Sequence, residues 1–204
     1  MKLMKMYPSS INDRYMDEVI DKLRNGGIII YPTDTLYAIG CNALNNQAIE
    51  RICKLNGLNP QKEHLSIICH DISQASDYAR IDNRAYQLLR ESLPGAFTFI
   101  LPASSSLPKG FKGRKTVGIR IPDNAIALEI ASRLGNPIMT TSIEWDEDAP
   151  EEACDPQSIA MRYENDVDII IDGGQGDTIP STVIDCTDSS NPELIREGKG
   201  LLSE

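Results

Sequence analysis

Three isoleucines and a tyrosine, Ile28-Ile29-Ile30-Tyr31, stand between Gly26-Gly27 and Pro32. The run is β-branched and aromatic, too short for a helix and closed by breakers on both sides, so it predicts a buried strand. Further strands are predicted at 65–69, 96–101, 116–121, 138–141, 167–171, 182–185 and 193–196. Helical patterns separate most of them, at 47–55, 82–92, 124–134 and 156–164. A first helix carries Ile11, Tyr15, Val19, Ile20 and Leu23 on one face, capped by Ser9 or Ser10 and stopped by Gly26-Gly27. Helices and strands at short intervals predict an α/β domain around a mixed sheet. The last strands, with no helix between them, argue against a pure doubly wound order.

The chain has 204 residues, which fits one domain over 1–204. Hydrophobic residues make up 41% and charged residues 25%, so wholesale disorder is not expected. The net charge of −10 makes the chain a poor non-specific binder of nucleic acid, since phosphate affinity rests on Lys and Arg. Much of the excess lies in one stretch, Asp146, Glu147, Asp148, Glu151, Glu152 and Asp155, leaving room for a basic face elsewhere. The five cysteines form no CxxC and no even-numbered framework, which points to a reducing compartment. Most read as small buried hydrophobes. With two histidines, no zinc-ligand spacing exists. No apolar run approaches membrane-spanning length, and Met1–Met6 holds no apolar signal core. The expectation is a soluble, cytoplasmic protein that engages no membrane.

Several strands run into polar groups. Tyr31-Pro32-Thr33-Asp34-Thr35 carries the first strand straight into hydroxyls, where open α/β sheets bind ligands. The competing reading is a Pro turn in which Asp34 acts as a cap. Arg120 falls inside the apolar strand Thr116–Ile121 and needs either an anion or an acidic partner. Its planar fork suits a carboxylate; an internal salt bridge is the equal alternative. Thr140, Thr141 and Ser142 end another strand, Ser181-Thr182 open one, and Arg196 closes the last. Single hydroxyls often satisfy only local backbone. Together, two arginines among strand-end hydroxyls suit holding carboxylate and phosphate better than nucleophilic attack. Lys109, Lys112, Arg114 and Lys115 form the one dense basic loop, and neither a Walker A motif nor G-x-G-x-x-G is present.

Five segments in order, YPTDTLYAIG, PGAFTFIL, TVGIRIP, PSTVID and IREG, resemble the YrdC/YciO family between about Asn25 and Gly200. Synthase members of that family make threonylcarbamoyl-adenylate for tRNA modification. The resemblance implies an α/β fold, a YrdC-like twisted mixed sheet with flanking helices and a large concave cavity. It implies a threonine site of Thr35, Arg120, Thr140 and Ser181, with Thr33 beside it, and an ATP site of Thr116, Ser142 and Arg196. It also implies L-threonine, bicarbonate and ATP as partners, with magnesium carried by the ATP. No side chain is assigned as a chemical catalyst.

The chain also departs from the synthase pattern. Synthases carry Lys-x-Arg where Asn56 and Leu58 stand here, and Ser-x-Asn where Ser142-Ile143-Glu144 stands. The family histidine falls on Ile68. Lys54 and Lys62 are the nearest cations that would compensate. These losses sit on the phosphate-handling side and resemble the YciO branch, so weak or absent adenylation is expected. Two rival readings are a module that binds double-stranded RNA or tRNA by shape, and a nucleotide-responsive regulator without turnover.

Overall fold

The computed structural model describes residues 1–59, 65–111, 113–144, 146 and 148–202. Lys62, Lys112 and Glu147 lie outside the described residues. The strands are β1 (Lys2–Lys5), β2 (Ile28–Tyr31), β3 (Ala38–Asn42), β4 (Ser66–Ile68), β5 (Phe97–Pro102), β6 (Thr116–Arg120), β7 (Ile138–Ser142), β8 (Ile169–Asp172), β9 (Thr182–Asp185) and β10 (Glu193–Arg196). The helices are α1 (Asp13–Arg24), α2 (Asn46–Leu55), α3 (Ile72–Tyr78), α4 (Asn83–Ser92), α5 (Ala125–Leu134) and α6 (Pro156–Arg162). The strands form one twisted mixed sheet in the order β1-β8-β2-β3-β7-β4-β6-β5-β9-β10. Pairing is parallel for β1/β8, β8/β2, β4/β6 and β5/β9, and antiparallel elsewhere.

Period-two alternation divides β2 between two cores. Ile28 and Ile30 enter the core formed with α2, α4 and α6, which supply Ile49, Ile52, Leu89 and Ile159. Ile29 and Tyr31 enter the other, against Met16, Val19 and Leu23 of α1 and Ile126 and Ile130 of α5. Each isoleucine taken from water contributes about 1.5–3 kcal/mol, which is why an all-apolar strand sits where both faces are covered.

Side-chain oxygens start the helices. Asn12, Asn45, Asp82 and Asn124 accept from the amides of Tyr15, Ala48, Ala85 and Ala127 respectively. The first helix is therefore capped by Asn12 and not by Ser9 or Ser10. Ile11, just ahead of that cap, packs on the core that contains Met16, as in a hydrophobic staple.

The two helix layers do not cover the sheet equally. Ile68 and Ile138 lie under the α1/α5 layer. Two residues along the same strands, on the same face, come Ser66 and Thr140. Their neighbours on β6, Gly118 and Arg120, pair in register with Ser66 and Ile68. The face that is apolar under α1 and α5 thus turns polar beyond them, over β7, β4, β6 and β5.

Candidate functional site

This polar part of the sheet floors a cavity of about 240 Å³ lined by Ser66, Thr98, Arg120, Thr140, Ser142, Ser181 and Arg196, among others. Two glycines shape it. A Cβ on Gly118 would collide with Ser66 Oγ, so the serine needs that absence. A Cβ on Gly40 would meet Tyr31 Cε1 at 3.0 Å and Ile138 Cγ2 at 2.8 Å. With Gly40 there, the Tyr31 ring crosses β3 and its hydroxyl reaches Thr140 Oγ1 at 2.7 Å. Across the cavity Thr98 Oγ1 and Ser181 Oγ share a hydrogen bond of 2.8 Å.

Arg120 closes β6 and is 6% exposed. Its Nη2 donates to Thr35 Oγ1 at 3.0 Å and faces Asp34 Oδ1 at 3.4 Å. The Asp34 carboxylate also accepts from the Asp123 amide at 2.8 Å, so it is shared. Arg120 Nε is buried with no hydrogen-bond partner. Both of the sequence alternatives for Arg120 therefore hold in part: there is an acidic partner, and there is unspent donor capacity. Burial pushes the guanidinium below its ordinary value; Asp34 pulls it back up, and the like charge of Arg196 lowers it further. Arg196 donates through Nε and Nη2 to the Ser181 carbonyl, at 3.2 and 2.8 Å. Two cations lining one small cavity, one with an orphaned buried donor, make a site for an anion.

Thr33 and Thr35 stand behind Arg120 and are not among the lining residues. Thr33 Oγ1 donates to the Leu36 carbonyl at 2.7 Å and accepts from the Thr35 amide at 3.0 Å, which locks the turn. Thr35, fixed in this way, accepts from the arginine. Thr116 is half-buried at the start of β6, in register with Pro102, and likewise outside the lining. Lys54 is exposed in the last turn of α2 and reaches none of these groups. Sequence reasoning missed Ser66 and Thr98 as site residues. A signal existed for Thr98, the lone hydroxyl among the apolar residues of β5.

Beyond Thr141 and Ser142 the cavity continues into a second hollow of about 400 Å³, lined by Asn56, Leu58, Glu144 and Arg162. Asn56 Nδ2 donates to the Ser142 carbonyl at 3.2 Å. Glu144 faces Arg162 at 4.0 Å, both about half exposed. Three of the positions where the sequence departs from the synthase pattern, Asn56, Leu58 and Glu144, thus meet in one place; the fourth, Ile68, is buried under the α1/α5 layer. The described cations of the basic loop lie elsewhere: Lys109 and Arg114 line a separate hollow beside Phe111, and Lys115 is outside the lining of the Arg120 cavity. A further hollow of about 620 Å³, lined by His70, Ile72, Tyr86, Leu93 and Ile121, holds neither arginine.

No cysteine serves the site. All five are buried, and burial pushes their thiols up, to about 12 for Cys41 and about 11 for Cys186. At neutral pH an excess of thiol reagent is expected to label none within minutes in the native protein and all five in denaturant. Rapid native labelling of any one would contradict this environment.

The arrangement is that of an α/β protein built on one twisted mixed sheet, whose polar face carries a cavity lined by two arginines and several hydroxyls. The Sua5/YciO/YrdC family model, described as Telomere recombination, matches residues 21–198, and the chain belongs to that family. It is 38% identical over 197 residues to the uncharacterized protein YciO of Escherichia coli, covering 96% of this chain and 94% of that one. The crystal structure of E. coli YciO superposes with a TM-score of 0.89, covering 98% of this chain and 97% of the other, at 36% identity. The chain is also 32% identical to a threonylcarbamoyl-AMP synthase of Bacillus subtilis, covering 93% of this chain and 55% of that protein. The structure of P. abyssi Sua5 complexed with L-threonine matches at a TM-score of 0.85 and 28% identity, covering 97% of this chain and 58% of the other.

Proposed function

We propose that the chain is a threonylcarbamoyl-adenylate synthase-like protein, with an amino-acid carboxylate held at Arg120 and slow turnover. The observation that carries this reading is the buried Arg120 with its unpartnered Nε, beside Arg196 and ringed by hydroxyls. The Sua5 complex with L-threonine and the B. subtilis synthase supply the substrate class.

In the proposed reaction the amine of L-threonine adds to carbon dioxide released from bicarbonate, forming a carbamate. The amine proton and the hydroxide left by bicarbonate leave as water. A carbamate oxygen then attacks the α-phosphorus of ATP, and the bond to pyrophosphate breaks. Little covalent work falls to the protein, so orientation and charge neutralisation supply the rate. Arg120 clamps the carboxylate, Thr140 and Ser181 fix the amine and hydroxyl, and Arg196 with Ser142 faces the phosphates. Thr35, in contact with Arg120, sets the angle of the clamp. Among the described residues no group of three or more His, Cys, Asp or Glu is placed to hold a metal. In this proposal magnesium is carried by the ATP phosphates.

The test is incubation of the purified protein with labelled threonine, bicarbonate and ATP. Slow formation of threonylcarbamoyl-adenylate with matching pyrophosphate supports the reading. Absence of both product and threonine binding removes it. The rival RNA-binding reading has no comparable feature, since the described cations of the basic loop lie outside the Arg120 cavity. Among the described residues no helix is long and apolar enough to cross a membrane.

A further inference from the structure

After Arg196 the chain does not leave the domain. It is inlaid against the cavity wall. Gly198 N donates to Thr182 Oγ1 at 3.0 Å, and that hydroxyl donates to the Gly200 carbonyl at 2.7 Å. Lys199 N donates to the Pro180 carbonyl at 2.9 Å. The close fit requires both glycines. A Cβ on Gly198 would strike the Pro180 carbonyl oxygen, and one on Gly200 would lie 2.7 Å from the Phe97 ring and the Ala96 carbonyl oxygen.

This inlay sends one long side chain across the site. Lys199 Nζ donates to the Asp34 carbonyl at 2.6 Å and pairs with Asp177 Oδ2 at 2.8 Å. The turn at Asp34 presents Asp34 and Thr35 to the Arg120 guanidinium. The segment after Asp177 leads within four residues to Ser181, in the opposite wall. The ammonium group therefore adds a side-chain tie between two segments that flank Arg120 and that the Asp177 amide already joins by donating to the Thr35 carbonyl at 3.3 Å, from a position 42% exposed to water. Asp177 is held on its own side by accepting the Thr178 and Ile179 amides at 2.7 and 2.9 Å. The Lys199 contact on Asp34 is to its backbone, so the lysine fixes the place of the turn and leaves the carboxylate for Arg120.

We propose that Lys199 is a positioning residue: a strap from the C-terminal segment that fixes the Asp34–Thr35 turn and so presets Arg120 for its ligand. The proposal rests on the reading of the Arg120 cavity as a carboxylate site. Loss of the strap leaves the turn to its Thr33 hydrogen bonds and the Asp177–Thr35 backbone bond, and the Asp34 and Thr35 partners of Arg120 are then held less tightly. Lysine does this with one compact charge and three donors, enough for a carbonyl and a carboxylate at once.

The experiment compares wild type, Lys199→Met and Lys199→Arg. Three readouts are used: amide hydrogen exchange, the NMR resonance of the Arg120 side-chain Nε, and calorimetric titration with L-threonine. Lys199→Met is expected to speed exchange at residues 33–36 and 177–180, shift the Arg120 resonance and weaken threonine binding by about tenfold, the order of one charge-assisted contact. Lys199→Arg, which keeps the charge and the donors, is expected to recover most of all three. Unchanged exchange in Lys199→Met overturns the strap. Faster exchange with an unmoved Arg120 resonance overturns its reach to the arginine. Weakened binding that Lys199→Arg does not restore at all also counts against it. If wild type itself takes up no L-threonine, the carboxylate reading fails, and the strap stands or falls on exchange and the Arg120 resonance alone.

Discussion

Arg120→Ala is expected to weaken L-threonine binding by one to three decades, the loss of a charge-assisted contact worth roughly 2–4 kcal/mol. From the sequence, such a variant is expected to keep its fold largely intact. The structure revises that expectation. Arg120 and Asp34 are 7% and 10% exposed in their side chains and face each other at 3.4 Å. Removing one partner strands the other, and breaking a buried pair costs about 3–5 kcal/mol when nothing else compensates. The Asp123 amide, which also donates to Asp34, offsets part of this. Arg120→Ala is thus expected to lower the denaturation midpoint as well, while the double variant Arg120→Ala/Asp34→Asn recovers stability without recovering binding. Calorimetry and urea unfolding on the single and double variants separate the two effects. Threonine affinity unchanged in Arg120→Ala makes the arginine purely structural.

Asn56→Lys, Leu58→Arg and Glu144→Asn, combined in one chain, are expected to raise threonylcarbamoyl-adenylate synthesis at least tenfold. Adenylation moves negative charge onto the departing pyrophosphate, and one well-aimed donor to such charge is worth on the order of 10²–10³ in rate. The second hollow supplies little of that now. Asn56 spends its amide on the Ser142 carbonyl, Leu58 is apolar, and Glu144 faces Arg162. The three substitutions replace a neutral lining by a cationic one and release Arg162 from its acidic neighbour. Wild-type turnover equal to that of a full-pattern synthase, assayed side by side, shows that the wild-type lining is already compensated. No gain in the triple variant shows that the loop after Asn56 follows a different geometry from that of a synthase, and that this branch serves another reaction.

The sequence carried much of the architecture where pattern and environment agree. Ile28–Tyr31, Thr182–Asp185 and Glu193–Arg196 are strands with the expected limits. Three elements were not legible. β1 shows one buried side chain, Met4, between charged ends, and exists because β8 pairs with it. β3 reads Ala-Ile-Gly-Cys-Asn, poor in β propensity, and is held by ladders to β2 and β7 on both sides. α3 has seven residues rich in Ser, Gln and Asp, too few to show a helical period. The site divides in the same way. Arginines and hydroxyls at strand ends stand out against apolar runs and were found. Ser66 lies mid-sheet and counts only because Gly118, distant in sequence, leaves it room. Thr33 and Thr35 support Arg120 from behind, a distinction between lining and bracing that depends on side-chain direction and is invisible in a motif.

The sheet order has a consequence for synthesis of the chain. β8 lies between β1 and β2 and pairs in parallel with both. While the chain emerges from the ribosome, the first two strands therefore wait for residues 169–172 before that edge can close. Until then β2 carries its apolar run beside an unfilled slot with free amides and carbonyls, a template for mispairing with other nascent chains. Closure by so distant a segment also raises the loop entropy paid before any reward, which slows the final step. A nascent chain arrested before residues 169–172 have emerged should therefore be the most chaperone-dependent species in the life of this protein, and one arrested after they have emerged far less so.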